Sequence, residues 1–313
     1  MATTKTPGVT GFAPPDGIQP AQTPGTLGLH DRADPDGLSF PGDSPGTVGF
    51  NDSTTALAGG VSLSSAASTP RQMTPLDFEA MYHELAASYF ERDSGFARSV
   101  SVDVHIYANN GIPRRQSNLG EKDRLVRLVR SELRAAQGLP LIDLQDEDVQ
   151  RIARTFFAKG SPEDCATTFR HALRYERITP EGIQQYCDTV AKIGLDCSGL
   201  VNNYFLAIGR ISRSQTISTY GAGRLRSSFD EIQDLDVLVW EGGDGAAGEH
   251  IAVIDHKIAG TDRMVVVESS GSKEGLVHNE YTVLEVRDRR FRVDRGPDAN
   301  GRTSVSQVRI AEV

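Results

Sequence analysis

Three residues whose types could together break an amide bond stand in order along the C-terminal part of the chain: Cys197, His250 and Glu268. Cys197 lies in Leu195-Asp196-Cys197-Ser198-Gly199-Leu200-Val201, and the apolar positions Leu200, Val201, Tyr204, Phe205 and Ile208 fall on one helical face. That spacing puts Cys197 in the first turn of a helix, where unpaired backbone N–H groups and the helix dipole favour a thiolate over a thiol. The same N–H groups can hold the oxyanion formed when the thiolate attacks a carbonyl. An isolated cysteine is more often a small buried apolar residue, so the weight rests on what accompanies it. His250 opens the apolar run Ile251-Ala252-Val253-Ile254, and an imidazole titrating near neutrality can take the thiol proton and later return it to a leaving amine. His256 shares its strand face by period two but sits about 20 Å along, and His278 is a substitute base only if the strands pair differently. Glu268 closes Met264-Val265-Val266-Val267; a carboxylate there is costly to bury alone and is expected to accept a hydrogen bond from the imidazole. The competing reading is that Glu268 only begins the loop Ser269-Ser270-Gly271-Ser272.

The phrase Asp196-Cys197-Ser198-Gly199-Leu200-Val201 resembles the nucleophile motif of the NlpC-type papain-like cell-wall peptidases. Leu235-Asp236-Val237-Leu238-Val239-Trp240 is similar to the segment that precedes the base strand in that family, without its glycine, and His250-Ile251-Ala252-Val253-Ile254 is similar to the histidine strand. The resemblance spans roughly residues 179 to 286. It implies a papain-like core, a thioester mechanism, and a polar third residue on the strand after the histidine, the place Glu268 occupies. It also implies an upstream tyrosine that helps bind the oxyanion, for which Tyr186 is the candidate. The family's Tyr and Gly-Gly phrase before the nucleophile is missing here, and helical sequence stands in its place.

The elements that must position these residues form an α+β pattern. Thr74-Pro75-Leu76-Asp77 reads as an N-cap with proline at the first helical position, followed by Phe78, Met81, Leu85 and Tyr89 at helical spacing. Val102, Val104 and Ile106 alternate as a strand over 101–107. Residues 121–192 read as helices punctuated by Gly138-Leu139-Pro140, Ser161-Pro162-Glu163 and Thr179-Pro180-Glu181. Strands follow over 236–240, 250–256, 264–268 and, with breaks, 281–292. The expected organisation is a disordered Gly/Pro-rich tail over 1–73, a mainly helical extension over 74–178, and over 179–313 a papain-like core whose nucleophile helix packs on an antiparallel sheet.

A net charge of −9 disfavours nucleic acid and anionic membranes as partners, since both select basic surfaces. No apolar run is long enough to span a bilayer and no ordinary export signal is visible, so a soluble protein made in the cytoplasm is expected. Three cysteines, Cys165, Cys187 and Cys197, leave at least one thiol free and show no zinc spacing, so neither metal nor cofactor is expected. In the tail, Pro7-Gly8-Val9-Thr10-Gly11-Phe12 recurs as Pro24-Gly25-Thr26-Leu27-Gly28-Leu29 and Pro45-Gly46-Thr47-Val48-Gly49-Phe50, the pattern of a short docking motif. The expected function is an amidase or endopeptidase of peptidoglycan stem peptides, injected or secreted as an antibacterial effector. Its expected partners are the peptidoglycan peptide, a secretion machine or carrier on the tail, and an immunity protein. The alternatives are a deamidase, protease or acyltransferase with an intracellular target, and a binding module that no longer reacts.

Overall fold

Thr74 and Ser161 start helices for the same local reason. Each side chain accepts a hydrogen bond from the backbone N–H three residues on, Asp77 or Asp164, whose carboxylate answers the cap's own N–H, and each is followed by proline. The computed structural model describes residues 72–90, 95–108, 118–137, 147–241, 247–298 and 300–313. The tail with its repeated phrase, and the Gly138-Leu139-Pro140 punctuation, lie outside the described residues.

Helix α1 (Pro75–His83) ends earlier than its apolar spacing suggests. Phe78 and Tyr82 face inward one turn apart, Met81 is 45% exposed, and Leu85 and Tyr89 belong to a strand, β1 (Leu85–Phe90), paired antiparallel with β2 (Ala97–Val102). The strand expected over 101–107 ends at Val102; residues 103–106 belong to no regular element, and Tyr107 makes an isolated parallel bridge to Leu195. Helices α2 (Leu119–Gln137), α3 (Glu147–Phe156) and α4 (Pro162–Arg174) follow, and then only short turns, α5 (Ile183–Gln185) between a 3-10 turn at Pro180–Gly182 and a π turn at Tyr186–Val190. Helix α6 (Cys197–Ala207) carries the cysteine, and α7 (Ile217–Gly221) leads toward the sheet.

The remaining strands are β3 (Val237–Glu241), β4 (Ala247–Ile258), β5 (Arg263–Ser270), β6 (Gly275–Arg287), β7 (Arg290–Pro297) and β8 (Thr303–Ala311). They pair antiparallel in chain order, and β8 returns to β3, so the sheet closes into a barrel. Closure gives β3, β4 and β5 two buried faces. Leu238, Trp240, Ala252, Ile254, Met264 and Val266 fill the barrel together with Tyr281, Phe291, Val293, Val308 and Ile310. Val237, Val239, Ile251, Val253 and Val267 pack instead against Phe78, Tyr82, Leu200, Val201 and Tyr204 of the helices. Strands covered on both sides read as continuous apolar runs, which is how 237–240 and 251–254 look in the sequence. The helices over 75–174 and the residues around Cys197 thus contribute to one hydrophobic core.

A register shift between Ile254 and His256 breaks the period-two alternation in β4. Asp255 turns inward and accepts the Leu76 N–H at 3.0 Å, satisfying an orphan donor in the first turn of α1. His256 is left exposed and bound to the Asp255 carboxylate at 2.7 Å, so it does not share the face of His250.

Candidate active site

Asp196 caps α6, accepting the Gly199 N–H at 2.6 Å, and so fixes Cys197 as the first helical residue. Gly199 and Leu200 bond back to Asp196. That leaves the Cys197 and Ser198 amides as the ones an α-helix cannot pair internally, the groups suited to hold an oxyanion. The loop before the helix is held on two sides. Leu195 exchanges backbone bonds with Ile106 and Ala108, both at 3.0 Å, and its carbonyl accepts the Ser269 hydroxyl at 2.7 Å. Helix α6 packs on β4 and β5, the strands that carry His250 and Glu268.

His250 Nε2 lies 2.8 Å from Glu268 Oε2. With Nε2 donating to the carboxylate, Nδ1 is the nitrogen left for the Cys197 thiol, whose proximity raises the imidazole pKa. Trp240 meets the imidazole edge to face at a centroid distance of 4.6 Å, which restrains the ring. Burial would pull the His250 pKa down, but the hydrogen bonds and charges of Cys197 and Glu268 outweigh it and raise it from 6.5 to about 9. The imidazole is therefore set to carry a proton, the form that can protonate a leaving amine.

Glu268 is fully buried and comes from the barrel-facing set of β5, in phase with Met264 and Val266. Every partner it has is a donor. His250 Nε2 and Arg295 Nη2 both reach Oε2 at 2.8 Å, and the Tyr281 hydroxyl donates to Oε1. Arg295 Nε in turn donates to the Tyr281 oxygen at 2.9 Å, and its guanidinium lies over the Trp240 ring at 5.0 Å. Burial alone would raise the Glu268 pKa; His250, Arg295 and Tyr281 overcome it and hold the carboxyl below its ordinary range. Glu268 thus stays an acceptor, able to orient the imidazole and balance its positive charge.

The other candidates are placed elsewhere. The Tyr186 hydroxyl donates to Glu121 at 3.2 Å from within the helical region, so it does not point at Cys197. His278 Nδ1 is bound to Glu79 at 2.9 Å. All three cysteines are buried, Cys197 at 7% exposure; for Cys165 and Cys187 burial pushes the thiols up and makes them poor nucleophiles. Among the described residues no group of His, Cys, Asp and Glu is arranged to hold a metal ion. Sequence reasoning did not find Arg295 or Tyr281. The usable signal was alternation: Arg295 continues the inward phase of Phe291 and Val293, and Tyr281 that of Val283.

No protein-family model matches the chain, and no curated protein matches it. One similar solved structure is the peptidoglycan hydrolase RipB of Mycobacterium tuberculosis, 26% identical, with a match covering 40% of this chain and half of that one at a TM-score of 0.22. At that score the fold of this chain rests on its own strand order and the site on its own distances.

Proposed function

We propose that this chain is a papain-like cysteine hydrolase that cleaves amide bonds in peptidoglycan stem peptides. The observation that carries the reading is one constellation: a cysteine at a helix N-terminus, near enough to a histidine to raise its pKa, and that histidine's Nε2 2.8 Å from a buried, ionised glutamate. In the reaction the Cys197 thiolate attacks the carbonyl carbon, and the Cys197 and Ser198 amides hold the oxyanion. Imidazolium His250 then protonates the leaving amine, and the neutral ring activates the water that hydrolyses the thioester. Glu268 keeps the ring oriented through both steps.

The substrate class is supported by the likeness of Asp196-Cys197-Ser198-Gly199-Leu200-Val201 to the nucleophile motif of cell-wall peptidases. The role proposed is an antibacterial effector, with the repeated Pro-Gly phrase as the docking element for a secretion machine or carrier and an immunity protein as the neutralising partner. Purified peptidoglycan and soluble muropeptides, each incubated with the full chain and resolved by mass spectrometry, test this. The expected result is a defined cut within the stem peptide, lost in Cys197→Ala. Cleavage or deamidation of protein substrates with intact muropeptides would instead place the same chemistry on an intracellular target.

A further inference from the structure

An acidic cap beside a thiolate nucleophile poses an electrostatic problem. Asp196 is needed to start α6, yet its negative charge is one residue from Cys197, where it opposes formation of a second negative charge. The turn between α3 and α4 answers this. Lys159 Nζ straddles the Asp196 carboxylate, 2.8 Å from Oδ2 and 3.0 Å from Oδ1, and also donates to the Ser198 hydroxyl on the other side of the cysteine.

The turn is built to keep the ammonium there. The Ala158 carbonyl accepts the Asp196 N–H at 3.1 Å, with Ala158 in the left-handed region at φ 61°. Asn203, two turns into α6, donates to the Lys159 carbonyl at 3.1 Å and to the Tyr82 oxygen at 3.2 Å, and Tyr82 donates to the Gly160 carbonyl at 3.0 Å. Contact is close enough that a Cβ at position 199 would stand 2.4 Å from the Ala158 oxygen, so only glycine fits there.

Resting on the reading of Cys197 as nucleophile, we propose that Lys159 is a positioning residue of the reaction: it neutralises Asp196 and locks the first turn of α6, so that the cap serves the helix without opposing the thiolate. The helical region is then part of the catalytic apparatus, since it supplies the balancing charge.

The test is the rate at which Cys197 is alkylated by iodoacetamide at neutral pH, with thiolate displacing iodide, in the full chain and followed by mass spectrometry of the Cys197 peptide. Lys159→Met is expected to slow alkylation about five- to tenfold, the scale of one uncompensated, partly solvated charge. It should also lower kcat on muropeptides while leaving KM unchanged. Lys159→Arg should stay within about twofold of the parent, because a guanidinium can pair the same carboxylate. The pair Asp196→Asn with Lys159→Met should recover the parent rate to within about twofold, since asparagine also caps a helix but carries no charge. A purely structural lysine would give no such recovery. Parent-like alkylation in Lys159→Met, or failure of the double variant to recover while its circular dichroism is native, overturns the proposal. Alkylation of parent Cys197 no faster than in the unfolded chain overturns the nucleophile reading as well, which separates the two failures.

Discussion

Glu268→Gln removes one charge and changes few atoms, yet the structure makes it severe. All three partners of Glu268 are donors, and the carboxylate serves them with two oxygens. A glutamine amide keeps one oxygen. Facing that oxygen to His250 and Arg295 turns the NH2 group against the Tyr281 hydroxyl, whose oxygen already accepts from Arg295. The larger loss is electrostatic, because buried Arg295 is left without the carboxylate it pairs with. Removing one partner of a buried ion pair costs about 3 to 5 kcal/mol, so guanidinium-induced unfolding should show a loss of roughly 3 kcal/mol or more. Activity should fall about 10- to 100-fold, the worth of one charge-assisted hydrogen bond to His250, and less than in His250→Ala. Adding Arg295→Met to Glu268→Gln should recover most of the stability and none of the activity, since it removes the orphaned cation but not the defect at the imidazole. An unfolding free energy for Glu268→Gln within about 0.5 kcal/mol of the parent would refute the claim that Glu268 anchors a buried charged cluster.

The raised pKa of His250 makes stability depend on pH. Because the folded value, about 9, lies above the ordinary 6.5, the contribution is fully present below pH 6.5 and is lost as pH rises through about 9. Unfolding free energies across pH 6 to 10 should therefore fall in the parent and fall less steeply in His250→Gln; parallel curves would contradict it. Truncation should spare catalysis if it respects one contact: the Met73 carbonyl accepts the Tyr204 hydroxyl at 3.1 Å, so a chain starting at residue 72 should keep full in-vitro activity while losing delivery or partner binding. Loss of hydrolysis in that truncated chain, checked on muropeptides, would give the tail a catalytic role instead.

The helix that begins at Cys197 was legible because its signals are local: an aspartate cap, a glycine two residues beyond the cysteine, and apolar residues on one face. The pairing of His250 with Glu268 could be anticipated because each bounds an apolar run, although both lie inside their strands. Barrel closure was not, since alternation tells which face a residue occupies but not that β8 pairs with β3. The β6–β7 hairpin was hidden as well. Its turn places Asp288 and Arg289 at φ 52° and 60° without the Asn-Gly or Asp-Gly pair that usually announces such a turn. Leu85 and Tyr89 suited helical spacing as well as a strand, and packing decided for the strand. Lys159 is 37 residues from Asp196, a separation no periodicity reports, so only the folded chain reveals the pairing.

The central claim is that Cys197 is the nucleophile, and it is tested most directly by muropeptide turnover in three single variants measured beside the parent by mass spectrometry. The account expects Cys165→Ala and Cys187→Ala to release the same product as the parent, and Cys197→Ala to release none while unfolding at a parent-like denaturant concentration. Product release by Cys197→Ala at a rate near the parent's would contradict it.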